Sequence, residues 1–446
     1  MATANDAKKL TNAYGDATHF YGNGVNATRG QNNNIFYLER KGIKQATTKK
    51  VFSQFASKYD MPQNTGKEFR VTVSYNAYDR LPYTTDTWNE REGHKWTEEF
   101  AKYGFMSERD IADVSGELYG AGGQGVIDNT STTANGLRLI EGQLSGNKIV
   151  MKSTTFSARI EKFGAMIDFT DETLLFDDTY GQGQFHEQLG GKIGQVSEDA
   201  IQLDMLATAN VVYAGAATSK RTLGAGIGTG DIDNITKRNA IEESYKINYE
   251  LIQRITSKLI SYRAPKHTRI LTGSTNVDTK TINPSYAAIV GNQVRVDLEN
   301  VVRGANVYGE EFAMIRPSQY ASQDSLMDGE VGSINDIRFC TSEQVICFRG
   351  AGAEVDAGYT GKLSRTTMGD GKTYFDVFPV IIPCEDAFAT IGLQGRDKIT
   401  WKSKHPSQTD TVDNYGSYGY FSASFWYGGI IKRPERMMVA YVLASA

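Results

Sequence analysis

The sequence predicts an α+β fold, and three patterns carry that prediction. Residues 67–75 alternate apolar and polar side chains, the two-residue period of a half-buried strand. Residues 185–212 repeat apolar side chains at alternating steps of four and three, the period of an amphipathic helix. From residue 337 onward, stretches rich in β-branched and aromatic side chains return. At 446 residues the chain is long enough to bury a substantial core.

Composition excludes several classes of protein. No run of about 18 apolar residues is present, so no transmembrane helix is expected, and the first 20 residues lack the apolar core of a secretory signal. Three cysteines cannot form a disulfide framework, and a net charge of -4 argues against a dedicated DNA-binding domain. Abundant Gly and Tyr beside five His favour a β-rich, loop-rich construction over a metal-dependent or His-based enzyme.

Residues 1–66 are predicted to form an N-terminal arm that needs a partner surface. A polar, Gly- and Asn-rich start is followed by an apolar cluster at 35–38. A short amphipathic helix is expected over 47–59, and its apolar face consists of Val51, Phe52, Phe55 and Ala56. These positions are too few for a core of their own, and disorder of residues 1–34 is an equally open interpretation.

Residues 67–169 are predicted to form a long hairpin with an elaborated tip. Strand-like stretches at 67–75 and 148–169 enclose an excursion that contains Trp88 and Trp96. A single compact domain rarely sends so much chain away from its core. The aromatic side chains of the excursion are either anchors against another chain or a small local core.

The helical pattern of residues 185–212 predicts a spine about 40 Å long. Its expected apolar stripe is Leu189, Ile193, Val196, Ala200, Leu203 and Ala207. Its expected polar face contains Lys192, Gln195, Glu198, Asp199 and Gln202.

After a linker at 215–233, a second amphipathic helix over 248–262 opens a separate α/β unit that is expected to run to about residue 334. Its apolar side is Leu251, Ile252, Ile255 and Leu259. Later strands are expected at 337–348, 374–383, 387–393, 418–427 and 436–443.

No constellation of catalytic, cofactor-binding or metal-ligating residues is identified, and no cofactor is predicted. The five His are not at metal-ligand spacing, and Cys340 and Cys347 are expected to be buried free thiols. The Gly-rich stretch 224–230 lacks the Lys-Ser/Thr pair of a phosphate loop, so it is predicted to be a flexible loop. Adjacent carboxylates such as Asp171 and Glu172 are better placed to cap a helix than to catalyse.

Two segments of the sequence resemble the major capsid proteins of tailed bacteriophages, which have the Hong Kong 97 fold. The more specific resemblance is to the N-four-like short-tailed phage capsid family. Residues 163–214 begin with FGAMIDFTD, and the family has a strand that ends in a similar motif at this place. The segment continues into the predicted spine helix, which contains Ala200, Asp204 and Leu206. Residues 329–339, GEVGSINDIRF, resemble the turn before the family's returning strand, although Asp336 stands where Gly is usual. The resemblance covers roughly residues 65–395.

The resemblance implies five segments and a structural role. They are an N-terminal arm 1–66, an extended loop with insertion 67–169, a peripheral domain with the spine helix 170–247, an axial domain 248–334, and returning peripheral-domain strands 335–446. Copies would assemble as hexamers and pentamers into an icosahedral shell around double-stranded DNA, with no sequence-specific DNA binding, no membrane and no enzymatic activity.

The resemblance to phage capsid proteins also implies binding partners and a location. Decoration, portal and scaffolding proteins are possible partners, the virion is the expected location, and assembly is expected in the host cytoplasm. No Lys and Asn pair for subunit crosslinking can be chosen. The candidate interface residues are Ile35, Phe36, Tyr37, Phe69, Tyr83, Trp88 and Trp96.

Two other classes remain as alternatives. A virion-associated β-rich protein that binds or hydrolyses carbohydrate predicts repeated short strands, but no repeat is present and the long helix does not fit. A tail-tube or sheath protein would also self-assemble, but into helical tubes instead of closed shells.

Overall fold

The structure is a computed structural model, and it describes residues 50–74, 141, 153–176, 182–208, 210–227, 241–268, 284–306, 309–317, 327–356, 359–394, 399–409 and 413–446. The helices are α1 Asp171–Phe176, α2 Gln182–Leu206, α3 Tyr249–Ser261 and α4 Asn292–Glu299. The strands up to α4 are β1 Ser57–Met61, β2 Glu68–Ser74, β3 Ser153–Arg159, β4 Glu161–Thr170, β5 Val211–Tyr213 and β6 Tyr286–Val290. The later strands are β7 Val302–Asn306, β8 Gly309–Phe312, β9 Glu330–Ile334, β10 Ile337–Thr341, β11 Arg365–Thr367, β12 Thr373–Phe375, β13 Phe378–Pro383, β14 Phe388–Leu393, β15 Thr400–Lys404, β16 Tyr418–Ile431 and β17 Met437–Val442.

The chain divides into two compact units. The large unit comprises Lys49–Glu161, Val196–Gln394 and Tyr427–Ala446. The small unit includes Lys162–Gln195 and Gly395–Trp426. Helix α2 and strand β16 each contribute residues to both units.

A six-stranded mixed sheet forms the centre of the large unit. Its strand order is β5-β17-β13-β6-β10-β9. The β5–β17 and β6–β10 pairs are parallel, whereas β13 runs antiparallel to both of its neighbours. Every residue of β6, β13 and β17 is buried. Their near-continuous apolar sequences, YAAIV, FPVIIP and MMVAYV, are therefore those of strands covered on both faces.

Helix α3 packs its apolar side into this core. Leu251, Ile252, Ile255 and Leu259 are all buried, as the sequence predicts. The helix begins at the predicted place because the Asn248 side chain accepts a hydrogen bond from the backbone N–H of Leu251 at 2.8 Å, which satisfies one of the free donors of the first turn.

In the small unit, β16 is flanked by β15 and β4. Strand β15 pairs antiparallel with residues 420–424 of β16. The final part of β16, residues 428–431, belongs to the large unit and pairs antiparallel with β14, on whose other side β1 runs parallel. Strand β4 follows β3 after the single residue Ile160, so the described part of the predicted strand 148–169, which begins at residue 153, is two strands.

The predicted helix over 47–59 is wrong from residue 50 onward. Ser53–Phe55 form one 3-10 turn and Ser57–Met61 form β1. Val51, Phe52 and Phe55 are buried, so the apolar positions were identified correctly. A short isolated helix has little stability of its own, and pairing with the edge of β14 satisfies the backbone instead.

The helix predicted over 185–212 is present as α2, which ends at Leu206, and its buried stripe differs from the prediction after Ile193. Ile201 and Met205 are buried, whereas Leu203 is 59% exposed. The predicted polar residues Glu198 and Gln202 are buried as well. Beyond Ile193 the buried positions are therefore Glu198, Ile201, Gln202 and Met205, and Glu198 binds a backbone group of another segment. The Glu198 carboxylate accepts the Phe52 N–H at 2.8 Å.

Two further differences concern loops and strand lengths. Of the predicted loop 224–230, residues 228–230 lie outside the described residues. Residues 224–227 form turns, but Gly224 packs against Phe375 and Ile227 is buried. The strand predicted over 337–348 ends at Thr341, whereas the one predicted over 418–427 extends to Ile431. The five-segment division stays a prediction.

Candidate assembly surfaces

Strands β2 and β3 form a two-stranded ribbon at the base of the predicted hairpin. They pair antiparallel from Glu68 opposite Arg159 to Ser74 opposite Ser153, and within the described part of the chain they form a sheet of their own. On the ribbon, Phe156 is buried, whereas Thr72 is exposed and its hydroxyl lies 3.0 Å from that of Thr155. An isolated two-stranded hairpin is marginally stable in water. Among the described residues, the ribbon therefore depends on side-chain packing, and not on pairing with a third strand, for support from its own subunit.

Phe69 is the one predicted interface residue within the described part of the chain. Its side chain is half-buried, and its ring lies 5.8 Å from that of Tyr59 on β1. The Lys432 ammonium lies 5.1 Å from the centroid of the same tyrosine ring. Phe69 thus packs within its own subunit at the foot of the ribbon, and its role between subunits stays a prediction.

The other predicted interface residues are outside the described residues. They are Ile35, Phe36, Tyr37, Tyr83, Trp88 and Trp96.

A buried lysine holds the beginning of β1 against the end of β16. Lys432 is 3% exposed and forms an ion pair with Asp386, which also accepts a hydrogen bond from the Ser57 hydroxyl at 3.0 Å. Burial alone would raise the pKa of Asp386, but the hydrogen bond and charge of Lys432 hold it below its ordinary value. Asp386 has a φ of 57°, a conformation that Asp tolerates better than most residues.

Asp204, part of the phrase that carries the family resemblance, binds a tyrosine. The Tyr427 hydroxyl donates to Asp204 Oδ2 at 2.6 Å. Burial raises the pKa of the Asp204 carboxyl, and the hydrogen bond from Tyr427 offsets part of that increase. A Cβ atom at Gly429 would overlap this carboxylate, so the approach of α2 to β16 requires a glycine there.

One face of the sheet in the small unit carries stacked phenylalanine side chains, and the other carries an exposed methionine. Phe163 stacks on Phe425 with centroids 5.8 Å apart, and Phe169 stacks on Phe421 at 5.2 Å. Met166, at the opposite parity of β4, is 63% exposed. The period of two in FGAMIDF could have identified it, because side chains at odd and even positions of a strand point to opposite faces.

Several large apolar side chains are exposed at positions that the sequence did not single out. Tyr415 is 93% exposed, Leu175 is 76% exposed and Tyr418 is 61% exposed. Exposed large apolar groups mark interaction surfaces only where they form a patch, so these positions are candidate contacts for other chains by their exposure alone.

The described residues contain no group of three His, Cys, Asp or Glu side chains that could hold a metal ion. No helix among them is long and apolar enough to cross a membrane. All three cysteines are free thiols. Cys340 and Cys384 are buried, whereas Cys347, expected to be buried, is half-buried. Burial raises the pKa of the Cys384 thiol to about 12 and that of Cys347 to about 11, so both are protonated at neutral pH.

The chain is similar to capsid proteins of tailed phages. No family model matches the chain. The major capsid protein of Pseudomonas phage KPP21 is 26% identical over 422 residues, which cover 92% of this chain and 93% of that protein. Among solved structures, the capsid of Ralstonia phage GP4 is similar with a TM-score of 0.52 and 11% identity, over 92% of this chain and 95% of that one. The structural likeness shows the fold, and the prediction of a phage major capsid protein is confirmed. Neither comparison favours the carbohydrate-active or tail-tube alternatives.

Proposed function

We propose that this chain, a major capsid protein of a tailed phage, has the Hong Kong 97 fold and assembles as hexamers and pentamers into an icosahedral shell around double-stranded DNA. Its place in the virion follows from the capsid role, and assembly in the host cytoplasm is part of the proposal. The proposed role is structural and needs no catalytic group. In this proposal α2 is the spine helix, and decoration, portal and scaffolding proteins are the additional partners.

The observation that carries the assembly proposal is the β2–β3 ribbon. Its strands pair only with each other in the described part of the chain, and Glu68 and Arg70 on β2 are exposed. Such a ribbon is marginal alone. We infer that it is stabilised by lying on neighbouring copies, which is how an element without a core becomes part of a closed symmetric assembly.

The test is electron microscopy of the expressed chain after negative staining. Round, thin-walled shells or hexameric sheets are expected. Helical tubes would favour a tail-tube protein instead, and a stable monomer that binds glycans would contradict the proposal.

A truncation separates folding from assembly. Because Val51 and Phe52 are buried, deleting all of residues 1–66 would damage the core. Removal of residues 1–48 leaves that packing intact and should give a soluble subunit that assembles poorly. Shells in undiminished yield from the truncated chain would remove the arm from the assembly proposal.

A further inference from the structure

The segment of residues 50–61, here called the arm-base segment, connects residues 1–49 to the rest of the chain. It is held to the large unit by a series of polar contacts. The Phe52 N–H donates to Glu198 at 2.8 Å. The Gln54 amide donates to the Asp328 carbonyl at 3.1 Å and accepts from the Asp328 N–H at 2.9 Å. A glutamine that satisfies both backbone groups of one residue fixes the position of its own segment.

His267 lies beneath this segment. Its ring centroid is 5.4 Å from that of Phe55, and the two rings are tilted by 59°. The Nε2 atom lies 2.8 Å from the Pro383 carbonyl oxygen, at the end of the central strand β13. Since a carbonyl only accepts, Nε2 carries the proton and the neutral imidazole has its lone pair on Nδ1. One ring thus joins the arm-base segment to the main sheet.

We propose that His267 is an acid-sensitive latch: protonation of its imidazole loosens the arm-base segment while the six-stranded sheet stays folded. This goes beyond the assembly role, and it concerns the subunit whether or not it is in a shell. The second proton would go to Nδ1, and the resulting imidazolium would lack hydration in the closed contact that it regains when the segment detaches. The neighbouring strand β13 is buried along its whole length and does not depend on that contact.

The electrostatic surroundings favour the neutral ring. Burial lowers the pKa of His267 below its ordinary 6.5, and this outweighs the opposing effects of the Pro383 carbonyl and the Glu385 charge. Phe55 and Ser285, which also face the residue, carry no titratable side chain in this range. The adjacent Lys266 is paired with Asp336 at 3.0 Å.

The sign of the pH effect follows from that shift. A histidine with a lowered pKa in the closed state binds more protons when the segment is detached. The contact therefore holds fully above pH 6.5 and weakens as the pH falls from 6.5 towards the pKa of the closed state. Over that interval the opening constant should rise by up to about tenfold per pH unit.

Hydrogen–deuterium exchange of the full chain between pH 7.5 and 5.0, corrected for intrinsic exchange rates, tests this. Peptides that cover the arm-base segment should exchange faster at the lower pH, whereas those from β13 and β17 should stay protected. His267→Gln keeps an amide donor for the Pro383 carbonyl but cannot titrate, so it should remove the pH response. His405→Gln is the matched control, since His405 contacts Phe421 in the small unit; it should respond as the wild type does.

Three results would overturn the latch. They are a wild-type segment that does not respond to pH, the same response in His267→Gln, and a parallel loss of protection in β13 and β17. Exchange at the imidazole C2 position of the wild-type chain tests the idea without a substitution. His267 should titrate below its ordinary pKa, and titration at the ordinary value would also overturn the proposal.

Discussion

The six-stranded sheet and the β2–β3 ribbon bury very different amounts of side chain. Strands β6, β13 and β17 are buried at every residue, whereas β2 has exposed Glu68, Arg70 and Thr72. The sheet obtains its stability from its own subunit. The ribbon obtains less, because several of its side chains are exposed and it pairs with no third strand in the described part of the chain. Under the assembly proposal, other copies supply the remaining stabilisation. Substitutions in the two regions should therefore separate folding from assembly.

The largest expected effect is a cavity in the sheet. Phe339 on β10 is 1% exposed, so Phe339→Ala should lower the free energy of unfolding by about 3–5 kcal/mol. Val71→Ala on the half-buried face of the ribbon should cost about 1 kcal/mol or less. Urea denaturation of chains lacking residues 1–48 measures both. Equal losses would mean that the ribbon is as self-sufficient as the sheet.

A pair of glycines tests how tightly the linker packs on that core. Gly224 and Gly226 both have a φ of 86°, so alanine is strained by about 1–2 kcal/mol at either position. A Cβ at Gly224 would lie 2.6 Å from Phe375 Cδ2, whereas nothing lies within 4 Å of one at Gly226. Gly224→Ala should therefore cost about 1–3 kcal/mol more than Gly226→Ala. Similar thermal midpoints for the two variants would contradict this packing.

These two glycines also indicate what the sequence could not predict. Local composition carries no information about Phe375, which packs against Gly224 although it lies 375 − 224 = 151 residues further along the chain. For the same reason the strand order of the central sheet, with β6 beside β10 and β5 beside β17, was not predicted. Such pairings depend on distant residues.

Local periodicity predicted the elements whose burial is set by their own sequence. Helix α3 and its four buried apolar residues are confirmed. Helix α2 is confirmed as an element, but Leu203 is exposed and Glu198 is buried, because the side of the helix that is covered depends on residues such as Phe52. Among the candidate interface residues, only Phe69 is within the described part of the chain, where it contacts Tyr59.

A smaller effect is expected where α2 meets β16. Tyr427→Phe removes the donor to Asp204 and leaves a half-buried carboxylate without it, at a cost of about 1–3 kcal/mol near neutral pH. Because the pKa of Asp204 is raised, the folded state binds its proton more tightly than the unfolded state does. The free-energy cost of ionised Asp204 in the folded state should therefore decrease as the pH falls through the pKa that Asp204 has in the folded state, towards its ordinary value of 3.8.

Unfolding measured between pH 4 and 7 checks that sign. The loss of the tyrosine donor raises the Asp204 pKa further, so Tyr427→Phe should recover stability at a higher pH than the wild type. Asp204→Asn keeps an acceptor for the Tyr427 hydroxyl and cannot titrate. The free energy of unfolding of this variant should therefore lack the pH dependence that Asp204 causes. An unchanged pH profile in Asp204→Asn would show that another group titrates.

The smallest effect on the subunit is expected on the ribbon, where the effect on assembly should be greatest. The Arg70 side chain is 69% exposed and pairs with Glu68 at 3.0 Å, an exposed pair that contributes about 0.2–1 kcal/mol. Arg70→Glu should therefore unfold almost as the wild type does. If the ribbon lies on a neighbouring copy, the negative side chain faces a surface that accommodates a positive one in the wild type. Like-charge contacts at an interface are costly. Sedimentation should then show subunits instead of shells. Lys372→Glu reverses a comparably exposed charge beside β12, so it controls for the change in net charge. Equal loss of shells in both variants would argue against a specific role of the ribbon.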